Sequence, residues 1–370
     1  MCMRSKFAVL SLLACAAWAQ SGRIDPQSTM DITFPEDSPV AVVSAHWGDS
    51  NASARGGAML LDLHTSLSLR NSSQRRIRGI TLLVKAQDVT PGGKASVSVP
   101  SLNVAPGETF PIRIDLRLLR PLQGGIGAMA LVKVELDGVL FEDLTFFGPN
   151  TLNSRRSMIV WELEARRDRQ YFRQVLDRAG VEQLRKAMLD SLTHQADRGG
   201  MDARVAHAGR STNAGGDRSV QFAFLEMPNA PVEITGGKAA VSGDEVRGPR
   251  MIMQNVSDRQ IRGMEVGWIV KDTNGKQFVA GSMPLEVTLA PRQSTTVVQD
   301  TAFKFSQPKG QPISIGSMTG FVNSVEFSDG RLWIPERSGK MLTASPEEQR
   351  LSELYRNKGL NAVVEELRKF

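Results

Sequence analysis

The stretch Asn71–Gly79, NSSQRRIRG, returns as Asn255–Gly263, NVSDRQIRG, with six of nine positions identical: Asn71/Asn255, Ser73/Ser257, Arg75/Arg259, Ile77/Ile261, Arg78/Arg262 and Gly79/Gly263. If the match reflects a duplicated fold, further matches must follow in the same order. They do. Ala105-Pro106 in NVAPGETF meets Ala290-Pro291 in TLAPRQST, IGAM at Ile126–Met129 meets IGSM at Ile315–Met318, and VELDG ending at Gly138 meets VEFSDG ending at Gly330. The offsets rise slowly through 184, 185, 189 and 192, as small loop insertions would produce. The chain reads as a tandem duplication.

Side-chain alternation says what each copy is. Leu61, Leu63, Thr65, Leu67 and Leu69 share one face of a strand, with Asp62, His64, Ser66, Ser68 and Arg70 on the other. Ile80, Leu82 and Val84 repeat the pattern after the opening stretch, Met264, Val266 and Trp268 occupy the matching places in the second copy, and Ile112, Ile114, Leu116 and Leu118 alternate with Arg113, Asp115 and Arg117. Asp137-Gly138 and Asp329-Gly330 are expected at tight hairpins, where positive φ is needed. Short alternating strands divided by turns predict antiparallel immunoglobulin-like sandwiches. The opening stretch is then a connector between two strands, its asparagine satisfying backbone groups and its isoleucine anchoring the loop. The competing reading makes Arg75, Arg78, Arg259 and Arg262 a paired anion-binding site.

The second copy, NVSDRQIRGMEVGWIVKDTNGK from Asn255 to Lys276, resembles the FxLYD and CARDB type of bacterial immunoglobulin-like module through Asn255, Ile261, Gly263, Val266, Ile269, Asp272, Gly275 and Lys276. In that type an asparagine-containing turn leads into a strand ending in an Asp-x-x-Gly-Lys hairpin. The first copy departs from it with Asp88 and a longer VTPGGK turn. The resemblance implies small binding or spacer domains without catalysis.

Amphipathic helices follow each copy. Phe172, Val175 and Leu176 share a face before Gly180, and Val181, Leu184, Met188 and Leu192 continue beyond it. Near the C-terminus Ser345 and Glu348 form a capping box with Pro346 in the first turn; Leu351, Leu354 and Tyr355 face inward, and Gly359 breaks the run before Val363, Val364 and Leu367. LRK at Leu184–Lys186 recurs at Leu367–Lys369, so the hairpin is expected to belong to the duplicated unit. The fold class is mainly β with helical additions. Its expected segments are a signal peptide at 1–19, sandwiches at 30–150 and 220–337, a helical segment at 155–193, a polar linker at 194–219 and a C-terminal helical hairpin at 345–370.

Arg4 and Lys6 ahead of the apolar run Phe7–Trp18, with Ala17 and Ala19 placed for cleavage, predict export to the periplasm or the cell exterior. An alternative uses LLAC, Leu12–Cys15, as a lipidation box that makes Cys15 a lipid anchor. The only cysteines, Cys2 and Cys15, fall in this leader, so cleavage after it leaves no disulfide, which points to a bacterial envelope protein. No run approaches the roughly 18–20 apolar residues of a membrane span. The formal charge of +6 drops to +4 without Arg4 and Lys6, charges of both signs are interspersed, and aromatics are 6%; a nucleic-acid partner is not expected.

Chemistry-bearing patterns are sparse. His46, His64, His194 and His207 are scattered, no nucleophile elbow or phosphate loop occurs, and GIGAMA at Gly125–Ala130 runs into a strand-like segment instead of a helix. No cofactor, metal or catalytic residue is assigned. Glu135 with Asp137, and Glu326 with Asp329, recur near the expected hairpins, where turn chemistry explains them better than a carboxylate pair for hydrolysis. Trp268 is expected in the core, and Trp47, in SAHWGDS, is the aromatic expected at the surface and a ligand-binding candidate with the four arginines. The functional expectation is an exported, non-enzymatic binding or spacer protein with a protein partner in the cell envelope. The alternative is a secreted carbohydrate-active or other hydrolytic enzyme with a carboxylate site between the halves.

Overall fold

The computed structural model describes residues 22–23, 30–55, 57–86, 93–121, 132–197, 199–207, 218–299, 301–307, 311–337 and 342–370. The leader with Cys2 and Cys15, the IGAM segment and most of the VTPGGK turn lie outside them. The chain divides into two compact units, Met1–Arg155 and Arg156–Phe370. It is mainly β with three helices among the described residues.

In the first unit, β1 (Gly22–Arg23), β2 (Met30–Thr33), β3 (Val40–His46), β4 (Asn51–Arg55), β5 (Ala58–Asn71), β6 (Ile77–Ala86), β7 (Lys94–Val99), β8 (Thr109–Pro121), β9 (Val132–Phe141) and β10 (Phe146–Phe147) form two sheets. The long strand β5 carries β4 and β3 in succession on one edge and β8 along the whole of the other. In the second sheet β9 lies between β6 and the pair β2 and β10, with β2 parallel to it. Inward residues of both sheets, Leu61, Leu63, Leu67 and Leu69 from β5 and Ile80, Leu82 and Val84 from β6 among them, make one apolar core.

The connector from β5 to β6 is the opening stretch, and it is built around a buried amide. Asn71 Nδ2 donates to the carbonyls of Arg75 (2.8 Å) and Val104 (3.2 Å), while Asn71 Oδ1 accepts from the Ser73 amide (3.0 Å) and hydroxyl (2.7 Å). In the second copy Asn255 repeats this with Arg259 (2.8 Å), Leu289 (3.2 Å) and the Ser257 amide (3.0 Å) and hydroxyl (2.7 Å), and adds the Ala290 carbonyl at 3.0 Å. Ile77 bridges Val104 as Ile261 bridges Leu289. The two repeated stretches thus carry the same hydrogen bonds.

One sequence match is corrected. Asp137-Gly138 is not a hairpin turn but lies inside β9, where the ring of Phe146 occupies the space a Cβ on Gly138 would need. The true counterpart of Asp329-Gly330 is Asp143-Leu144, with Leu144 and Gly330 both left-handed at φ 66° and 80°. Ile77 pairs with Phe141 and Ile261 with Phe327, which sets the offset there at 186, not 192. Short acidic-glycine motifs recur too easily to fix a register without the strand pairing.

The second unit closes its sheet. Its strands are β11 (Gly199–His207), β12 (Arg218–Phe224), β13 (Val232–Ser242), β14 (Glu245–Asn255), β15 (Ile261–Asp272), β16 (Gln277–Leu285), β17 (Ser294–Val298), β18 (Thr301–Gln307), β19 (Gln311–Pro312), β20 (Ile315–Phe327) and β21 (Leu332–Trp333). They run in order β14-β13-β12-β20-β15-β16-β11-β18, and β18 returns to β14. Strand β11 makes the closure possible, parallel to β16 and antiparallel to β18. It falls within 194–219, expected as a linker: GGMDARVAH has a short alternation flanked by glycine and polar residues, and the edges of β16 and β18, not its own propensity, make it a strand. The same expected linker overlaps the helix before it. The described residues of the first unit hold no counterpart of β11. Asp272 closes the β15–β16 hairpin, its Oδ1 accepting from the amides of Asn274 (2.9 Å) and Lys276 (2.8 Å).

Three helices belong with the second unit: α1 (Ser154–Asp197), α2 (Pro346–Lys358) and α3 (Leu360–Arg368). Helix α1 breaks at Gly180 (φ 80°, ψ −179°), and Gly359 between α2 and α3 has φ 81°, ψ −178°. Aligning these glycines, an offset of 179, places Phe172 with Leu351, Val181 with Leu360, Leu184 with Val363 and Met188 with Leu367. Phe172, Leu184, Met188, Leu351, Leu360, Val363 and Leu367 form one cluster. The two hairpins are thus equivalent pieces that pack on each other, and the LRK match is a register slip of four residues.

Replacing Asn71 or Asn255 with alanine strands buried carbonyls and amides, and each change is expected to cost about 2–4 kcal/mol in urea unfolding. A loss below about 0.5 kcal/mol would remove the amide from its structural role. The Gly359 conformation is one that essentially only glycine adopts, so Gly359→Ala is expected to cost about 1–3 kcal/mol. Unchanged helical ellipticity and midpoint in that variant would contradict the break.

Candidate functional site

The arginine candidates are held within their own units. Arg75 lies over Phe141 (3.7 Å to the ring centre), donates to Thr145 Oγ1 (2.6 Å) and sits 3.6 Å from Asp143. Arg259 repeats this over Phe327 (4.0 Å), paired with Asp329. Buried Arg78 donates to Asn103 Oδ1 (2.8 Å) and Glu142 Oε1 (2.9 Å), and Arg262 pairs with Glu326. Each guanidinium already has a carboxylate beside it, which weakens its attraction for an incoming anion. The hydroxyl of Thr145 holds Asp143 below the usual carboxylate range, and the Arg331 amide does the same for Asp329.

The carboxylates considered for hydrolysis are engaged as well. Glu135 accepts from Lys85 (2.6 Å) and lies 3.1 Å from Lys133, which together lower its pKa. Asp137 is buried and accepts from the Leu152 amide (3.1 Å) and the Ser154 hydroxyl (2.7 Å), all within the first unit. Glu326 faces Arg262 and Arg156. His64 is exposed between Asp115 (3.0 Å) and Asp62 (3.6 Å). Trp47, expected at the surface, is half-buried against the core of the first unit, because the chain turns inward between β3 and β4. Trp268 is buried, edge-on to Phe222 at 4.9 Å. Among the described residues no group of three His, Cys, Asp or Glu side chains is placed to hold a metal ion.

What the sequence did not reveal is a buried ionic network between the helices of the second unit. Asp168 on α1, wholly buried, is contacted by Arg167 (2.9 Å), Arg337 (3.0 Å) and the hydroxyl of Ser345 (2.5 Å). Ser345 also caps α2 by accepting from the Glu348 amide at 3.0 Å. The Glu348 carboxylate does not close the expected capping box; it accepts from Arg337 (2.9 Å) and Ser191 (2.7 Å). A second chain of pairs runs from Glu162 through Arg169 (3.2 Å) to Glu347 (3.7 Å), then Arg350 (2.8 Å) and Glu366 (2.8 Å). Burial disfavours the charge on Arg337, yet Glu348 and Asp168 more than offset this and raise its pKa. Arg166 on Glu162 (2.9 Å) and Lys369 on Glu366 (2.9 Å) extend it, so its buried charges face one another as a clamp. Its only sequence signal was the density of charge in RRDR, Arg166–Arg169, on a helix with an apolar face.

Beside the clamp, Glu164 on α1 is buried. Burial, with the charges of Asp168 and Glu265 and against that of Arg167, pushes its carboxyl up to about 7. Glu265 on β15 accepts from Ser282 (3.1 Å) and lies 3.9 Å from Arg156.

No protein-family model and no curated protein matches the chain. Among solved structures, a β-glucosidase from Kluyveromyces marxianus, selenomethionine-labelled, is 11% identical over 76% of this chain with a TM-score of 0.15, and its glucose complex is 10% identical with the same score. The match spans 45% of each β-glucosidase chain. A vicilin from Capsicum annuum is 11% identical over 89% of this chain and 95% of its own, with a TM-score of 0.10. Likeness at this level carries neither fold nor activity to this chain. No described helix is long and apolar enough to cross a membrane.

Glu164 gives the second unit a pH dependence of definite sign. Its folded pKa of about 7 stands above the ordinary 4.5, so the native state binds the proton more tightly. Its stabilising contribution is complete below pH ~4.5 and lost as pH rises through ~7, a change of about 3 kcal/mol. Glu164→Gln is expected to flatten this slope between pH 5 and 8 and to raise the urea midpoint at pH 8. An unaltered slope would show that Glu164 titrates normally.

Proposed function

We propose that the chain is an exported, non-enzymatic binding or spacer protein of the bacterial cell envelope, built from two immunoglobulin-like modules. The repeated asparagine connector, and a parallel strand at the same place in each unit, β2 on β9 and β12 on β20, support the modular reading. The observation that carries the functional reading is where each kind of side chain is left. The candidate arginines face carboxylates and the candidate carboxylates accept from lysine, arginine, hydroxyl or amide donors, whereas β14 and β17 hold Ile252 and Val298 about half exposed on one sheet face. A surface of that kind binds other polypeptides and offers nothing to bond-breaking chemistry.

Export follows from the leader, with lipid attachment at Cys15 as its alternative form, and the expected partner is an envelope protein. The test is crosslinking of the tagged, exported protein in its native envelope, with captured proteins identified by mass spectrometry. A reproducible partner lost in Ile252→Glu, with the melting curve unchanged, is the expected result. Capture that is indifferent to Ile252, or hydrolysis of a glycan by the purified protein, would overturn the reading.

A further inference from the structure

The outer edge of β17 differs from the corresponding edge of the first unit. Strand β14 corresponds to β5, and β17 with β18 to β8, as Arg70 opposite Thr109 and Gln254 opposite Ser294 show. The β8 segment beginning at Thr109 reads TFPIR, with Pro111 removing a donor and Arg113 projecting into solvent. Proline and charge are the usual means by which a sheet edge avoids pairing with another chain. Its counterpart, Ser294–Val298, reads STTVV and has no proline, charge or glycine. Among the described residues β17 pairs with β14 alone, through Arg250–Gln254, and its other side meets no strand.

Resting on the reading of this face as a binding surface, we propose that its occupant is β17 of a second copy of the chain, paired antiparallel about a two-fold axis through Thr296. The segment suits itself. With Thr296 opposite Thr296, Val298 lies across from Ser294 and Val297 from Thr295, so no charged pair arises. Ser294, Thr296 and Val298 project outward, while Thr295 and Val297 turn toward the core. Ile252, cross-strand from Thr296, lies on the same outer face as Val298, so pairing brings the exposed Ile252 and Val298 of both copies into one strip. A two-fold contact closes on itself and stops at a dimer, unlike edge pairing that propagates into fibres. Five residues per copy bury less than the roughly 1,200–2,000 Å² of a stable interface, so the dimer forms reversibly at high local concentration.

The test is sedimentation velocity of the exported chain over a wide concentration range, with Thr296→Lys, Thr296→Glu and their equimolar mixture. Thr296 is exposed, so either change leaves the melting curve of the unit in place, and that curve is recorded for each variant. The wild type is expected to double its mass as concentration rises, each variant alone to stay monomeric through like charges at the axis, and the mixture to recover the dimer. A wild type that is monomeric up to millimolar concentration overturns self-pairing, as does a dimer untouched by either charge or a mixture that fails to associate. If such a monomer still captures an envelope protein in a manner sensitive to Ile252, the general reading stands while this one fails.

Discussion

The buried primary amide of Asn71, and again of Asn255, is the interaction on which the architecture depends. The chain must leave one strand and enter another at a corner where neither ladder can receive the local carbonyls. An amide carries two donors and an acceptor on a short stem, and here both ends are used: the nitrogen serves carbonyls on either side of the corner, and the oxygen holds the serine two residues on. A carboxylate would lack the donors and an aliphatic side chain would lack both functions. Once the corner is fixed, Ile77 and Ile261 enter the core and the next strand's inward face is set by alternation.

Around the two repeated connectors the sheets are finished differently. In the second copy an extra strand, β11, bridges β16 and β18, and the sheet becomes a ring. Its position directly after α1 means that the helical hairpin delivers it, so helix and closure are linked along the chain. The hairpins have diverged less in their apolar faces than in their charges. Phe172, Leu184 and Met188 match Leu351, Val363 and Leu367 in position and burial, whereas Asp168 and Arg169 stand where the other hairpin has Glu347 and Glu348. Asp168 and Glu347 keep one sign while Arg169 and Glu348 reverse it, and Arg169 reaches Glu347 of the other hairpin at 3.7 Å. Such pairs are weak sources of net stability but strong penalties for misalignment, which suits a contact between two hairpins of like apolar pattern.

The legible part of the fold was the part governed by period and by local hydrogen bonding. Leu61 to Leu69, Ile80 to Val84 and their second-copy partners stand on the faces that alternation assigns, and Trp268 sits with Met264 and Val266 in the core. What misled was any feature whose meaning lies in a partner distant in sequence. Asp137-Gly138 has turn composition but is held in a strand by β6 and shaped by Phe146. Gly199–His207 has linker composition but is captured between two strand edges. Trp47 is flanked by polar residues yet turns in against the core. The ionic clamp joins Asp168 to Ser345 and Arg337 across some 170 positions, and no local pattern announces a pairing of that span.

The distribution of charge bears on function more than the amount of it. A chain with 45 basic and 39 acidic residues has ample material for a ligand site, yet the arginines that repeat between copies stack on phenylalanines and face carboxylates. Charge spent in internal pairing is unavailable for steering or for stabilising a transition state, because its field is cancelled within a few ångströms. Ser294–Val298 and Ile252 instead present uncharged side chains, with Ile252 and Val298 about half exposed. Those groups recognise shape and strand register instead of chemical identity. Under the function proposed above, specificity for another polypeptide would come from which edges are left unprotected.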